Sequence, residues 1–223
     1  MVVSSNTMTV DDYKECTIYR WMFMFGHYLG TTQFISRFLN NHLDISYSYF
    51  YMQFMNFMNS MGSNGFLGKQ LMETKRSLDL VMKAEAPWGR VVKSVRDNFA
   101  WDFEEATVID IMKNKEAFFN EIRHFLALHF NIDKPVIDDL IKYQNLAILD
   151  PQRIYPLTDD FVYNIHDVIH SGDELSMKPA NLNFEGKNYD GNFFDYGKET
   201  LWWGRRVAAY KNKIMETGAL SAK

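Results

Sequence analysis

A single cysteine, Cys16, stands in 223 residues. That excludes an intramolecular disulfide, a Cys-rich zinc site and any iron–sulfur cluster needing three thiolates from this chain. It also favours a reducing, cytoplasmic setting. A basic excess is lacking too: 24 Lys and Arg against 28 Asp and Glu give a formal net charge of −4. With no surplus of positive charge to neutralise phosphates, nucleic acid is not an expected partner. Apolar runs are broken by Lys, Arg, Asp or Asn well short of the roughly 20 residues a membrane-spanning helix needs. The start, Met1 to Asn6, lacks the basic-then-apolar order of a secretory signal. The expectation is therefore a soluble, unprocessed chain with no membrane partner. Gly-x-Ser-x-Gly, phosphate-loop, His-Glu-x-x-His and dinucleotide fingerprints are absent, and Gly62, Gly65 and Gly68 follow a spacing unsuited to cradling phosphate.

What is present in quantity is large, soft side chains: 18 Phe, 12 Tyr, 5 Trp and 13 Met. Such residues fill irregular cores, and they also make adaptable contact surfaces with a second protein or a second copy of the same chain. The chain is long enough to bury roughly 70% of the surface it exposes when unfolded, so it needs no metal or disulfide to fold.

Helical periodicity dominates residues 1–145. Cap-like Thr9 to Asp12 precede Ile18, Trp21, Met22 and Phe25 at helical spacing, and Phe34, Ile35, Phe38 and Leu39 share a face before Asn40-Asn41. Ser46 to Met61 carries an apolar band so wide that a central or interfacial helix is expected. After the turn residues Gly62 to Gly65, a surface helix runs from Phe66 to Ala84. Residues 88–103 read equally as strand, loop or short helix. A short helix follows to Met112, then one over Lys115 to Phe130 and one from near Pro135 to Asn145. Residues 146–192 bring Pro151, Pro156 and Pro179 and a loop-rich character. Within them Thr158 to Asp160 could cap a helix through His170, and residues 175–184 suggest a small hairpin or edge strands. Residues 193–217 read as a closing helix. The fold class expected is mainly α: one irregular helical domain over 1–223 with a small β-hairpin or extended segment in the last third.

Several residues invite chemistry. Glu121 and His124 form a Glu-x-x-His pair, the unit repeated in helical di-metal carboxylate sites, and Asp167 with His170 is a partial second copy. His166 and His170 add a pair on neighbouring turns, and Glu104 or Glu105 could supply a further carboxylate. Against this, each of these can be an ordinary helix-surface residue. His27, flanked by aromatics and Gly26, fits either a hydrogen-bonded core histidine or a ligand contact in a small-molecule pocket. Cys16 has Lys14, Glu15 and Arg20 close by and no histidine partner in sequence, which suits an inert thiol. Trp202, Trp203, Arg205 and Arg206 around Gly204 combine indole area with guanidinium forks, the residue types that anchor interfaces or hold anions; they equally suit a core-filling helix with its arginines on acids.

The segment Trp202-Trp-Gly-Arg-Arg206, preceded by Tyr143-Gln144 with Pro151, and by Trp21 with His27-Tyr-Leu-Gly30-Thr-Thr-Gln33, resembles the C-terminal region of cobalamin-binding radical SAM proteins. The matched residues run in order along nearly the whole chain. In that family an Asp-x-His-x-x-Gly segment binds cobalamin and a Cys-x-x-x-Cys-x-x-Cys motif holds a four-iron cluster. Neither motif occurs here, so the family's catalytic and cofactor residues map onto no position of this chain, and no resident cofactor is implied. The resemblance implies a detached tail domain, a split product or a fragment, that docks on a separately encoded radical SAM and cobalamin core and catalyses nothing alone. Three functions are thus open: such an accessory domain, contacting its partner through Trp202, Trp203, Arg205 and the Tyr47 to Met58 face; a di-metal oxygenase built on Glu121, His124, His166, Asp167 and His170; or a small-molecule binding protein around His27.

Overall fold

A computed structural model describes residues 8–219, and the fold is mainly α. The first helix, α1 (Val10–Phe23), opens with a reciprocal cap in which Thr9 accepts from the Asp12 amide while Asp12 accepts from the Thr9 amide. It loosens into a π-helical turn, Met24–Tyr28, followed by Gly30, which at φ +86° lies against the Tyr210 ring. Next come α2 (Gln33–Leu43) and α3 (Tyr47–Met61). The latter buries Phe50, Tyr51, Phe54, Met55, Phe57 and Met58 and leaves Tyr47, Tyr49 and Met52 in solvent. A short 3-10 turn, Gly62–Asn64, leads to α4 (Phe66–Met82), where Gly68 lies so close to the Gly62 carbonyl that a side chain would not fit.

Residues 88–103, undecided from sequence, form a two-stranded ribbon, β1 (Arg90–Val91) antiparallel to β2 (Ala100–Trp101). Then follow α5 (Phe103–Lys113), α6 (Lys115–His129) and α7 (Lys134–Ala147). The inward row expected on α6, Phe118, Phe119, Ile122, Phe125 and Leu126, is buried. Pro135 occupies the first turn of α7, where its missing amide proton is not needed.

The last third departs further from local propensity. Thr158 to Asp160 do not cap a helix: they lie in β3 (Leu157–Tyr163), and α8 (Ile165–Ser171) starts only after it. The expected hairpin region becomes β4 (Met177–Glu185), the middle strand of a three-stranded antiparallel sheet. The closing helix expected over 193–217 breaks up. It consists of α9 (Phe193–Tyr196), a π-helical stretch Gly197–Trp203 and a 3-10 turn Gly204–Val207. Ala208 then turns left-handed at φ +55°, and β5 (Lys213–Ala219) pairs with β4. The physical reason is tertiary: β4 carries a second row of unpaired backbone groups, and pairing them outweighs the modest helical preference of the tail. One continuous hydrophobic cluster runs from Ile18 to Tyr210 through helices and sheet. Among the described residues no helix is long and apolar enough to cross a membrane.

Candidate functional site

Three elements that the sequence separates widely meet around Tyr143 on α7. Its buried hydroxyl lies 2.8 Å from His166 Nδ1 and 3.0 Å from His170 Nε2, both carried by α8 one turn apart. A phenol has one proton to donate, so one imidazole accepts from it and the other donates an N–H to its oxygen. Phe34 of α2 meets the Tyr143 ring edge-on at 5.6 Å and leans on the His170 ring at 5.9 Å. Lys211, just before β5, places its ammonium 5.6 Å from the Phe34 ring and 5.4 Å from that of Tyr210. One helical turn beyond Phe34 stands the half-buried Arg37. Its positive field reaches Tyr143, His170, Lys211 and, on the π-helical turn, His27.

His27 is half-buried. Its Nδ1 lies 3.2 Å from the Tyr51 hydroxyl and 3.4 Å from Ser36 Oγ, and its ring stacks on Phe23 at 5.1 Å with Tyr47 edge-on at 5.4 Å. Burial, Arg37 and Lys211 together hold its pKa below the ordinary histidine value. Burial, His166, Arg37 and Lys211 push His170 down to about 4. Lys211 is lowered by burial and then by Arg37. The cluster is a set of neutral imidazoles and phenols around two cations.

Of the residues singled out for a metal, His166 and His170 come together, their rings 4.5 Å apart, but the carboxylates and His124 do not join them. Glu121 is committed to the start of α4, where its carboxylate accepts from the amides of Phe66 at 2.5 Å and Leu67 at 2.8 Å. His124 is exposed, with its ring 5.9 Å from Phe57. Asp167 forms an ion pair with Lys178 at 2.9 Å, leaving His166 and His170 to Tyr143. Among the described residues no group of three or more His, Cys, Asp or Glu side chains is placed to hold a metal ion.

The Trp202 to Arg206 segment divides by role. Arg205 turns inward to a carboxylate cluster at the start of α5, 3.7 Å from Asp102, 3.8 Å from Glu104 and 3.4 Å from Glu105. Arg20 also reaches Glu104, at 3.7 Å. Burial and the neighbouring Asp102 lift the Glu105 carboxyl to about 7, with Arg205 opposing. Trp202 packs on Phe99 and stacks against Trp203, which is 67% exposed, and Arg206 also faces solvent. Cys16 is exposed, on the wall of an open apolar depression with Met8, Tyr13 and Trp88.

Arg37, Lys211 and the Tyr143 hydroxyl are the candidate groups that sequence reading missed. The only available signal was Tyr143-Gln144 in the family resemblance; neither cation lies in a periodic or motif context. Compared with models of known families and with curated proteins, the chain has no match.

Proposed function

We propose that the chain is a non-catalytic accessory domain that docks on the catalytic core of a cobalamin-binding radical SAM protein and forms part of its substrate pocket. The observation that carries this reading is a band of aromatic and Met side chains left in solvent where α1 meets α3. Tyr19 and Phe23 of α1 face Tyr51 and Met52 of α3 across an apolar groove of about 490 Å³, and Tyr47 and Tyr49 of α3 and Tyr28 of the π-helical turn also stand exposed. Scattered exposed apolar residues are ordinary, but a groove of aromatics of this kind is the composition of an interface centre. His27 sits at its edge, in contact with both Phe23 and Tyr47.

The test is association with a cluster- and cobalamin-loaded radical SAM core that lacks such a C-terminal region and comes from the same genome. Light scattering after size exclusion is expected to give a one-to-one complex that F23S and M52S weaken. Absence of a mass change on mixing, together with full turnover by the core alone, would reject the proposal. A stable homodimer sealed by Phe23 and Met52 would reassign the groove to self-association.

A further inference from the structure

Arg37 is an exception among the half-buried arginines. Arg90, Arg123, Arg153 and Arg205 each lie 2.9–3.6 Å from a carboxylate oxygen. Arg37 makes no ion pair or side-chain hydrogen bond among the described residues. Lys211, also half-buried, has no carboxylate partner among them either; its ammonium stands 5.6 Å from the ring of Phe34, one turn before Arg37 on α2, and 5.4 Å from that of Tyr210. Two like charges partly withdrawn from water, with no carboxylate counterion among the described residues, repel each other and lose some hydration. Such an arrangement persists when the surrounding fold fixes it, and here the fold does so. Arg37 is carried by α2, whose N-terminus is clamped by Gln144. The backbone around Lys211 is held by a bridge to Ile148 and by the Leu149 amide donating to the Tyr210 carbonyl at 2.8 Å.

The acids nearest the cluster are accounted for elsewhere. Asp167 is engaged by Lys178 at 2.9 Å, and Glu216 on β5 acts on His166 and Lys178. The titratable groups that feel Arg37 are instead the imidazoles of His27 and His170 and the phenols of Tyr143 and Tyr210, with His166 packed 4.5 Å from the His170 ring and bonded to the Tyr143 hydroxyl. All of these can donate a hydrogen bond, and the imidazoles can also gain a proton.

We propose that Arg37 and Lys211 form the floor of a binding site for a small-molecule oxyanion, a carboxylate or a phosphate group, with His170 and His27 at its rim. The anion supplies the missing counterion: the guanidinium grips two of its oxygens and the ammonium contributes a point charge. Its negative field favours the protonated imidazoles, so binding takes up protons and strengthens as the solution is acidified. The site stands on this chain's own residues and does not require the docking proposed above.

The test uses the full chain alone, titrated with acetate, with inorganic phosphate and, for the pH series, with sulfate, whose charge is constant between about pH 5 and about pH 8. Sodium chloride at matched ionic strength is the control. Calorimetry in buffers of different ionisation heat is expected to report saturable binding with proton uptake, and histidine NMR to report upward pKa shifts of His170 and His27. R37Q and K211Q should each weaken binding roughly tenfold or more, while R123Q, which removes a paired arginine, leaves it unchanged. Preference for acetate would identify a carboxylate ligand, and preference for phosphate a phosphorylated one. No saturable binding of any of the three anions, or equal binding by R37Q and R123Q, would overturn the proposal. If R37Q fails to fold by circular dichroism, K211Q and the histidine shifts of the unaltered chain still decide it. Failure here with a complex still formed on a radical SAM core would leave the docking reading standing.

Discussion

Glu105 shows how much a single side chain can owe to its surroundings. It lies in the first turn of α5, closes a capping box by accepting from the Asp102 amide, and is almost fully buried beside Asp102 and Glu104. Removal from water and the like charge of Asp102 raise its carboxyl from the usual 4.5 to about 7, and Arg205 offsets only part of this. A carboxyl whose folded pKa stands above its unfolded value binds more protons when folded. Its contribution is fully present below the unfolded pKa and lost as pH rises through the folded one. For Glu105 that loss falls between the usual 4.5 and about 7. His170 works in the opposite sense: held down to about 4 from 6.5, its contribution is present above 6.5 and lost as pH falls through 4. E105Q keeps a carbonyl to accept from Asp102 and removes the buried charge. It is expected to raise stability at pH 8 by about 1–2 kcal/mol, a few degrees in Tm, with little effect near pH 4. Thermal melts at the two pH values check this, and an unchanged Tm at pH 8 would show that Arg205 already neutralises the site. The sequence announced Glu104 and Glu105 as acids near a helix start but not their burial, because burial depends on distant parts of the chain such as Arg20 and Arg205 that fold onto them.

At the scale of elements, the recurrent device is a helix or strand end satisfied by a side chain far away in sequence. The Thr32 side chain at the head of α2 makes no cap hydrogen bond; Gln144 of α7, fully buried, accepts from Phe34 and Ile35 at 2.9 and 3.2 Å and donates to the Gly30 carbonyl at 2.7 Å. At α4 the cap residue is Gly65, without a side chain, and Glu121 of α6 takes its place. Asp139 of α7 accepts from Val162 and Tyr163 where the β3 ladder shifts register. Each first turn leaves orphan amide donors, and a carboxylate also meets the positive end of the helix dipole. Q144L matches the volume, leaves the Phe34 and Ile35 amides without a partner and the Gly30 carbonyl with only the long bond from Gln33, so it should cost about 2–4 kcal/mol in urea unfolding. E121Q, at a part-buried site with one acceptor oxygen retained, should cost about 1 kcal/mol. Equal midpoints for E121Q and the unaltered chain would remove Glu121 from a capping role. Periodicity made most helices legible, α1, α3, α6 and α7 among them. It failed at residues 193–217, where the preference of the segment is weak and the exposed edge of β4 decides the outcome.

At the scale of the whole molecule, ring contacts and hydrogen bonds among the described residues join the helical body to the sheet. Tyr143 of α7 packs against Phe161 of β3 and Phe184 of β4, and Asn212 beside β5 donates to the Leu146 carbonyl at 2.7 Å. Helices and sheet are therefore expected to unfold together. Far-UV circular dichroism should follow the same urea transition as the fluorescence of the buried Trp21 and Trp101. Separate midpoints would reveal two cooperative units. The aromatic groove between α1 and α3 and the unpaired cations near Tyr143 are surface and near-surface features of this one body, and both take their meaning from what they lack, a cover and a counterion.

By itself the sequence determined the mainly helical class, the buried rows of α3 and α6, the lack of thiols for a cluster and the extended character of the last third. These follow from composition and from periodicity within one element, which a chain carries before it folds. Tertiary structure alone decided that Glu121 caps a helix, that residues 213–219 form a strand, and that His166 and His170 meet the Tyr143 hydroxyl. Counterions, caps and strand partners are relations between residues tens to more than a hundred positions apart, and no local pattern encodes which of them will meet.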